Sequence, residues 1–519
     1  MATPLLPIHN GSVDSLEIHD LQDVDIKLDF LPRVTQGMSS ILRYPFSSAT
    51  RGKYSLLVTA PRSYRRLLTR SCYSLFLIFS LIILLLALTS TLYPSYTTPP
   101  PHYSALQHQI LTSDQPARGN PQNEKIFIAA SLYDPSGTLT RGHWATSVLD
   151  LITLLGEDNV FLSIYENDSG EGDDEGVNEG VNEGQQALTD LSTRVPCNKS
   201  LVHETLAPAS LPKITLPDGT ERVKRITYLA ETRNRALRPL DTTTTMFDKI
   251  LYLNDIAFNP IDAVHLLFST NAEETGTASY RAACAVDFIN PVKFYDTFAT
   301  RDLEGYSMGL PFYPWFSSAG SGSSRSDVLA EKDAVAVKSC WGGMVAFDAR
   351  FFQKGRKTPE TAAGTENPPA RFRAVNDTDI FWDASECCLI HADIQAPRDG
   401  RDERQETGIY MNPYVRVAYD PVTLYWLGVT RRVERAFTLV HYLGNWLVGL
   451  PWVNHRRGEV VGEKYQDVVY VPGVGDTGSF EEVERIGSYD GFCGRPGLSV
   501  IVPRSEGGKG WKNIPRPVQ

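Results

Sequence analysis

One segment limits what this chain can fold into more than any other. From Cys72 to Leu92 it reads CYSLFLIFSLIILLLALTSTL, without a single charge. As a helix rising about 1.5 Å per residue it extends roughly 30 Å, the thickness of a bilayer's hydrocarbon core. A cleaved signal peptide would lie at the extreme N-terminus, whereas this run starts about seventy residues in. Arg51, Lys53, Arg62, Arg65, Arg66 and Arg70 precede it, and no Lys or Arg follows until Arg118. The positive-inside rule therefore makes residues 1–71 a cytosolic tail, residues 72–92 a signal anchor, and everything beyond Leu92 lumenal, a single-pass type II arrangement. The alternative is a buried core helix.

Two further features agree with that topology. Asn167, Asn198 and Asn376 each begin an N-x-Ser/Thr sequon, usable only in the lumen, whereas the sequon at Asn10 is left on the cytosolic side. Six of the seven cysteines (Cys197, Cys284, Cys340, Cys387, Cys388 and Cys493) lie beyond the anchor, where oxidation allows disulfides. Sequence cannot choose among their possible pairings. No CxxC or Cys/His spacing suggests structural zinc.

The net charge of −11 argues against nucleic acid as a partner, since a phosphate backbone selects basic surfaces. Much of that charge is local: Glu166 to Glu183 holds eight acids and no base. A polar repeat such as GVNEGVNEG cannot bury a core, so residues 166–186 read as a disordered insertion, deletable without loss of fold.

After the anchor, residues 93–123, rich in Pro, Ser, Thr and Gln, read as an extended stem. A regular alternation then begins and fills a catalytic domain over 124–435, followed by a C-terminal extension over 436–519. KIFIAASLY (Lys125–Tyr133), NVFLSIY (Asn159–Tyr165) and KILYLND (Lys249–Asp255) are short apolar runs expected as strands covered on both faces. Trp144–Leu155 and Pro260–Ser269 have helical spacing, and RITYLAE leads into a basic helix start. Such alternation predicts an α/β fold with a mostly parallel sheet, whose ligands bind beyond the carboxyl ends of the strands. Ser131 to Asp134, Glu231 to Arg235 and Asn254-Asp255 occupy such ends. No GxGxxG follows the first strand and no GxxxxGK[ST] occurs, which disfavours dinucleotide and P-loop enzymes. The late apolar stretch Phe437–Val453 contains His441, Asn445 and Pro451, and reads as a buried or membrane-surface segment rather than a second span.

Several residue groups carry chemistry. Asp255, at the end of a buried strand, can hold a divalent cation that neutralises a diphosphate leaving group; a plain turn or helix cap is the alternative. Arg233 and Arg235 at a strand-to-helix junction suit phosphate, or else a solvated helix start. In KSCWGGMVAFDA, Trp341 can stack on a sugar ring while Gly342 and Gly343 let backbone approach a ligand; a tight turn with a core Trp has the same sequence. FWDASECCLIHADI gathers Asp383, Glu386 and His391, candidates for proton transfer and, for His391, a second metal ligand, against a packed histidine. Asp287, in the apolar run ACAVDF, reads as a buried structural acid whose change to Asn lowers stability.

Taken together, IAASLYD, VFLSIYENDS, YLAETRNRAL, FDKILYLNDI, ACAVDFINPVKFYDTFATRDLEG, KSCWGGMVAFDA, FWDASECCLIHADI and IYMNPYVRVAYD resemble the fungal capsule-associated α-1,3-mannosyltransferase family, over roughly Lys125 to Arg435. The resemblance implies a Golgi type II glycosyltransferase with a GT-A-like nucleotide-sugar fold. It implies transfer of mannose from GDP-mannose in α-1,3 linkage to a mannose-containing acceptor, with a divalent metal, usually manganese. Asp255 then takes the last place of the GT-A acidic motif, although Leu253-Asn254-Asp255 lacks the full Asp-x-Asp. Ser131, Tyr133, Arg233, Arg235, Trp341, Gly342 and Gly343 become donor-binding, Asp383 and Glu386 catalytic, and Asp255 and His391 metal ligands. An α-linked donor and an α product mean retention, expected as front-face transfer with the leaving diphosphate assisting deprotonation of the acceptor. The alternatives are a transferase with another nucleotide sugar, or a catalytically silent lumenal scaffold on the same fold.

Overall fold

The computed structural model describes residues 62–167, 183–273, 276–354, 368–375, 379–395, 406–473, 478–503, 506 and 510–517. It divides into two units, Met1–Leu92 and Tyr93–Gln519. In the first, helix α1 runs from Arg62 to Leu92. Its stretch Thr69–Leu92 is long and apolar enough to cross a membrane, and its most apolar window is not buried at all. A core helix in water would be packed on at least one face.

The second unit is built on a ten-stranded sheet. Its strands are β1 (Ile126–Leu132), β2 (Val160–Asn167), β3 (Asn198–Glu204), β4 (Lys249–Leu253), β5 (Ala282–Asn290), β6 (Val335–Ser339), β7 (Met344–Asp348) and β9 (Ile409–Ala418), with two short pieces at Lys293–Phe294 and Arg301–Asp302. Strand β8 (Trp382–Ala384) lies outside it. The order is β3-β2-β1-β4-β7-β5-β9-β6, closed by Arg301–Asp302. Neighbours from β3 to β4 are parallel, as are β5 and β9. Strand β7 runs against both β4 and β5, and β6 against β9. This is the expected α/β arrangement with a mostly parallel central sheet.

The wholly apolar run of β1 has its predicted cause. Phe127 and Ala129 enter one core cluster, while Ile126, Ile128, Ala130 and Leu132 enter another on the opposite face. Period-2 alternation sends successive side chains to opposite faces, and both must be covered. On one side lie α3 (His143–Leu155) and α6 (Pro260–Phe268), contributing Trp144, Val148, Leu151, Val264 and Leu267. On the other lie α5 (Arg225–Leu237) and α7 (Glu386–Ile394), contributing Ala236, Leu237, Leu389 and Ile390. The remaining helices used below are α2 (Pro101–Thr112), α4 (Glu183–Arg194), α8 (Pro421–Thr430) and α9 (Phe437–Val448).

Four expectations need correction. The stem is not an extended spacer. Residues 101–112 form α2, whose Tyr103, Leu106 and Ile110 are buried, and Tyr103 stacks on His265 with centroids 4.6 Å apart. Burying each such side chain is worth about 1.5–3 kcal/mol, which docks the helix despite its polar neighbours. Nor is the C-terminal segment an extension. It belongs to the same compact unit, pairs Gly494–Pro496 with β8, buries Phe492, Val500 and Trp511, and is joined to α7 by the disulfide Cys388–Cys493. Closing a loop across 105 residues removes unfolded-state entropy worth on the order of 4–5 kcal/mol. A second disulfide joins Cys284 to Cys340.

The other two corrections concern the acidic tract and RITYLAE. Glu166 and Asn167 end β2 rather than begin a disordered insertion, and Glu166 is buried 2.9 Å from His203 Nε2. Residues from Glu183 onward form α4, so the part of the tract that reads as disordered, 168–182, lies outside the described residues. RITYLAETRNRAL is one helix, α5, because Ile226, Leu229, Ala230 and Leu237 fall on one buried face. Arg233 and Arg235 therefore sit toward its C-terminal end, where the helix dipole repels rather than attracts an anion.

Candidate active site

The predicted ends of β1 and β4 do meet, and Asn254 is their junction. Its backbone carbonyl accepts from Trp144 Nε1 at 2.8 Å and its amide donates to Gly343 O at 2.9 Å. Its side-chain Oδ1 accepts from Arg233 Nη1 at 3.1 Å and from Trp341 Nε1 at 3.2 Å. Arg233 also donates from Nε to Glu386 Oε1 at 2.9 Å, with both side chains almost fully buried. Its guanidinium carbon lies 4.5 Å from the Trp341 ring centroid. Tyr252 closes the group, its hydroxyl 3.0 Å from Ser131 Oγ and 3.3 Å from the Arg233 carbonyl oxygen.

This floor is architecture. A buried ion pair stands only where each charge neutralises the other and the spare hydrogen bonds are met. The Glu386 partner holds Arg233 cationic despite its burial. Ser385 caps α7 by accepting from Cys387 N, which fixes Glu386 in the first turn, where the helix dipole favours a carboxylate. The roles expected from sequence change accordingly. Arg233 is spent on Glu386 and Asn254 rather than presented to phosphate. Glu386 balances Arg233. Trp341 is buried against Arg233, Tyr252 and Phe372, and its face meets a guanidinium where a sugar was expected.

Three other residues leave the site. Arg235 points away from it, bonding Tyr165 Oη at 3.0 Å, Glu204 at 2.9 Å and Glu231 at 3.1 Å, and so ties α5 to β2 and β3. His391 is fully buried, with Nδ1 2.6 Å from the Cys387 carbonyl oxygen and Nε2 3.8 Å from Cys284 sulfur, an atom of the first disulfide. Burial pushes its pKa down to about 4, and its Nε2 faces the Cys284–Cys340 disulfide. Asp383, on β8, is buried beside Lys224, Arg495 and Arg225; burial pushes its carboxyl up to about 6 while those cations pull it down. Its surroundings are cationic, unlike those of a metal site.

The glycines of the Trp341 loop are required, though by the protein itself. Gly342 has φ +59°, and a Cβ there would lie 2.0 Å from the Ala285 carbonyl oxygen of β5. Gly343 has φ +64° and would press on Ile256. Loop and sheet approach too closely for any side chain.

Above the floor is a more open rim. Ser131, Tyr133, Asp255, Asp296 and Tyr419 are all half-buried. The Tyr419 hydroxyl donates to Asp287 Oδ2 at 3.1 Å, and the charges of Asp255 and Asp296 also bear on it. Asp287 Oδ1 accepts from the Asp296 amide at 3.1 Å. Burial, and then the Asp296 carboxylate, push Asp287 up to about 8; burial pushes Asp296 up to about 6. At the carboxyl ends of β4, β5 and β9, Asp287 thus bonds this hydroxyl while Asp255 and Asp296 lie within electrostatic reach of it, with Oδ2 of both turned out of solvent. Hard oxygen donors of this kind fit a hard divalent cation. Asp296 and Tyr419 were not singled out from sequence, although KFYDTF and RVAYD both lie in segments that carry the resemblance.

Of the sequons, Asn198 is exposed at the start of β3, and Asn376 lies outside the described residues, as does Asn10. Asn167 cannot carry a glycan in this fold. It is buried, Nδ2 donates to Tyr228 Oη at 2.7 Å, and Oδ1 accepts from Leu206 N at 3.1 Å.

A family model described as cryptococcal mannosyltransferase 1 matches residues 125–393, just over half of the chain. No curated protein matches it. Among solved structures, mannosyl-3-phosphoglycerate synthase from Rubrobacter xylanophilus is similar at 12% identity and a TM-score of 0.27, covering 76% of this chain and 94% of that one. The chain belongs to the cryptococcal mannosyltransferase 1 family, and its general chemistry is glycosyl transfer.

Proposed function

We propose that this protein is a Golgi type II transferase that moves mannose from GDP-mannose, in α-1,3 linkage and with retention, onto a mannose-containing glycan. Asp255 holds a divalent cation, manganese by preference, with Asp287 and Asp296 beside it. The observation that carries the reading is the gathering of these three acids at the strand ends, Asp287 bonded to Tyr419 and Asp255 and Asp296 within electrostatic reach of it, where an α/β sheet binds its ligand. When bound, the cation supplies Lewis-acid neutralisation of the diphosphate charge.

The chain's own residues do the rest. Arg233, through Asn254 and Glu386, holds the end of β4 against the start of α7, so that Asp255 projects from a rigid support. Tyr252 orients Ser131, and with Tyr133 it offers hydroxyls toward the donor. No side chain on the rim is assigned as a covalent nucleophile; deprotonation of the acceptor hydroxyl falls to the leaving diphosphate.

A panel of labelled nucleotide sugars given to the full chain, with and without manganese, tests this. Turnover of GDP-mannose that stops with a chelator supports it. Turnover of another sugar nucleotide moves the donor assignment, and no turnover at all favours the silent scaffold. For topology, a glycosidase-sensitive mass at Asn198 or Asn376 is expected, and modification of Asn10 alone would invert the orientation.

A further inference from the structure

Helix α9 is amphipathic the wrong way round for a helix in water. His441 and Asn445, one turn apart, face the domain: His441 Nδ1 lies 2.9 Å from Arg325 Nη1, and Asn445 Oδ1 accepts from Leu310 N at 2.8 Å. Its apolar residues face outward, Leu439 and Leu447 being 67% and 73% exposed and Trp446 77%. The helix before it in the chain, α8, exposes Tyr425 and Trp426, and the chain after α9 exposes Trp452. An apolar face of this kind marks a surface that something covers.

Two observations say what covers it. The first is charge. Between Pro421 and Gly458 the only acid is Glu434, in a chain of net charge −11, and Glu434 is buried in a two-pronged pair with Arg416 at 2.8 and 2.6 Å. Tryptophan and tyrosine with arginine and almost no acid is the composition of a bilayer interface. The second is the tether. Ser95 N donates to Arg431 O at 3.0 Å and Arg431 Nη1 donates to Tyr96 O at 3.3 Å, so the chain entering this unit is fastened at the end of α8. Helix α1 ends at Leu92, and three residues reach no more than about 11 Å. The chain that follows Leu92 is thus held at Arg431, which lies between α8 and α9 in sequence.

We propose that the face made by α8, α9 and Trp452 lies in the interface of the same bilayer that holds α1. The transferase domain then works seated on the membrane at two points instead of swinging on a stalk. This rests on the reading of α1 as an anchor.

The tryptophans make the test direct. Of the eight in the chain, Trp426, Trp446 and Trp452 are exposed on this face, Trp144, Trp315, Trp341, Trp382 and Trp511 are at most 3% exposed, and α1 has none. The full chain is reconstituted into phosphatidylcholine vesicles whose acyl chains carry bromine, which quenches only tryptophans in contact with lipid. Flotation with the vesicles reports the anchor; quenching reports the docked face. The parent should be quenched, and L439E/L447E, which keeps every tryptophan and alters only exposed positions, should lose that quenching roughly tenfold while still floating. Parent quenching no greater than the variant's would overturn the proposal. So would tryptophans shielded from bromine by a second copy, seen as a cross-linked dimer. A chain that fails to float sinks the anchor reading, and this one with it.

Discussion

Two sets of charges lie on either side of Asn254, and they behave in opposite ways. Below it, the Glu386 carboxylate is matched by Arg233 at 2.9 Å, and the pair is sealed by Trp341 and Tyr252. Above it, the Asp296 amide donates to Asp287 Oδ1 at 3.1 Å; burial and the Asp296 charge raise Asp287, and burial raises Asp296. A matched buried charge is complete and supports its surroundings. On the proposed reading the rim acids take up a cation, and that distinction separates what holds the site from what would act in it.

The rim gives the largest effect. Asp255→Asn keeps the shape and removes a charge, so GDP-mannose turnover should fall on the order of a thousandfold, about 4 kcal/mol, with the melting temperature almost unchanged. The floor should do the reverse. Arg233→Met leaves Glu386 buried and unmatched, at a cost of about 3–5 kcal/mol in a denaturant melt, and adding Glu386→Gln should restore much of it. A double variant no more stable than the single one would break the contrast. Between the two, Gly342→Ala forces a left-handed φ and a clash with Ala285, and should cost about 1–3 kcal/mol of stability.

The smallest effect is a slope. Folded Asp287 keeps its proton up to about 8, whereas the unfolded carboxyl loses it near about 3.9. Its contribution to the metal-free protein is therefore fully present below about 3.9 and is lost as pH rises through about 8. Asp287→Asn should flatten stability against pH across that window and cost little near neutrality. This departs from the expectation, drawn from sequence, that Asn is simply destabilising there: Asp287 is buried as expected, but it is held as a neutral acid that Asn can mimic. An unchanged slope would mean that the group is ionised throughout.

Strands β1, β2 and β4 and helices α3 and α6 were legible because each is a local pattern: a short apolar run, or apolar residues at helical spacing. Asp255 was legible for the same reason, as a carboxylate just past such a run. The relation of Asp287 to Asp296 was not, because it depends on a hairpin between β5 and Lys293–Phe294 that brings one amide to one carboxylate. Arg233 was found and its task was misread, since nothing local in ETRNRAL announces a glutamate 153 residues away. Composition misled at both ends of the domain. Proline and threonine around α2 hid Tyr103 and Ile110, and the Cys388–Cys493 bond that ties in the C-terminal segment is one of many pairings open to six cysteines.

The central claim is that the acidic rim takes up a cation through Asp255, and direct manganese binding tests it without any turnover. Full chain is titrated with manganese in the presence of GDP, and free ion is followed by its spin-resonance signal. The account predicts one site in the parent, lost in Asp255→Asn and retained in Asp383→Asn, whose carboxyl sits among cations. Equal binding by the parent and Asp255→Asn, or none by either, would contradict it.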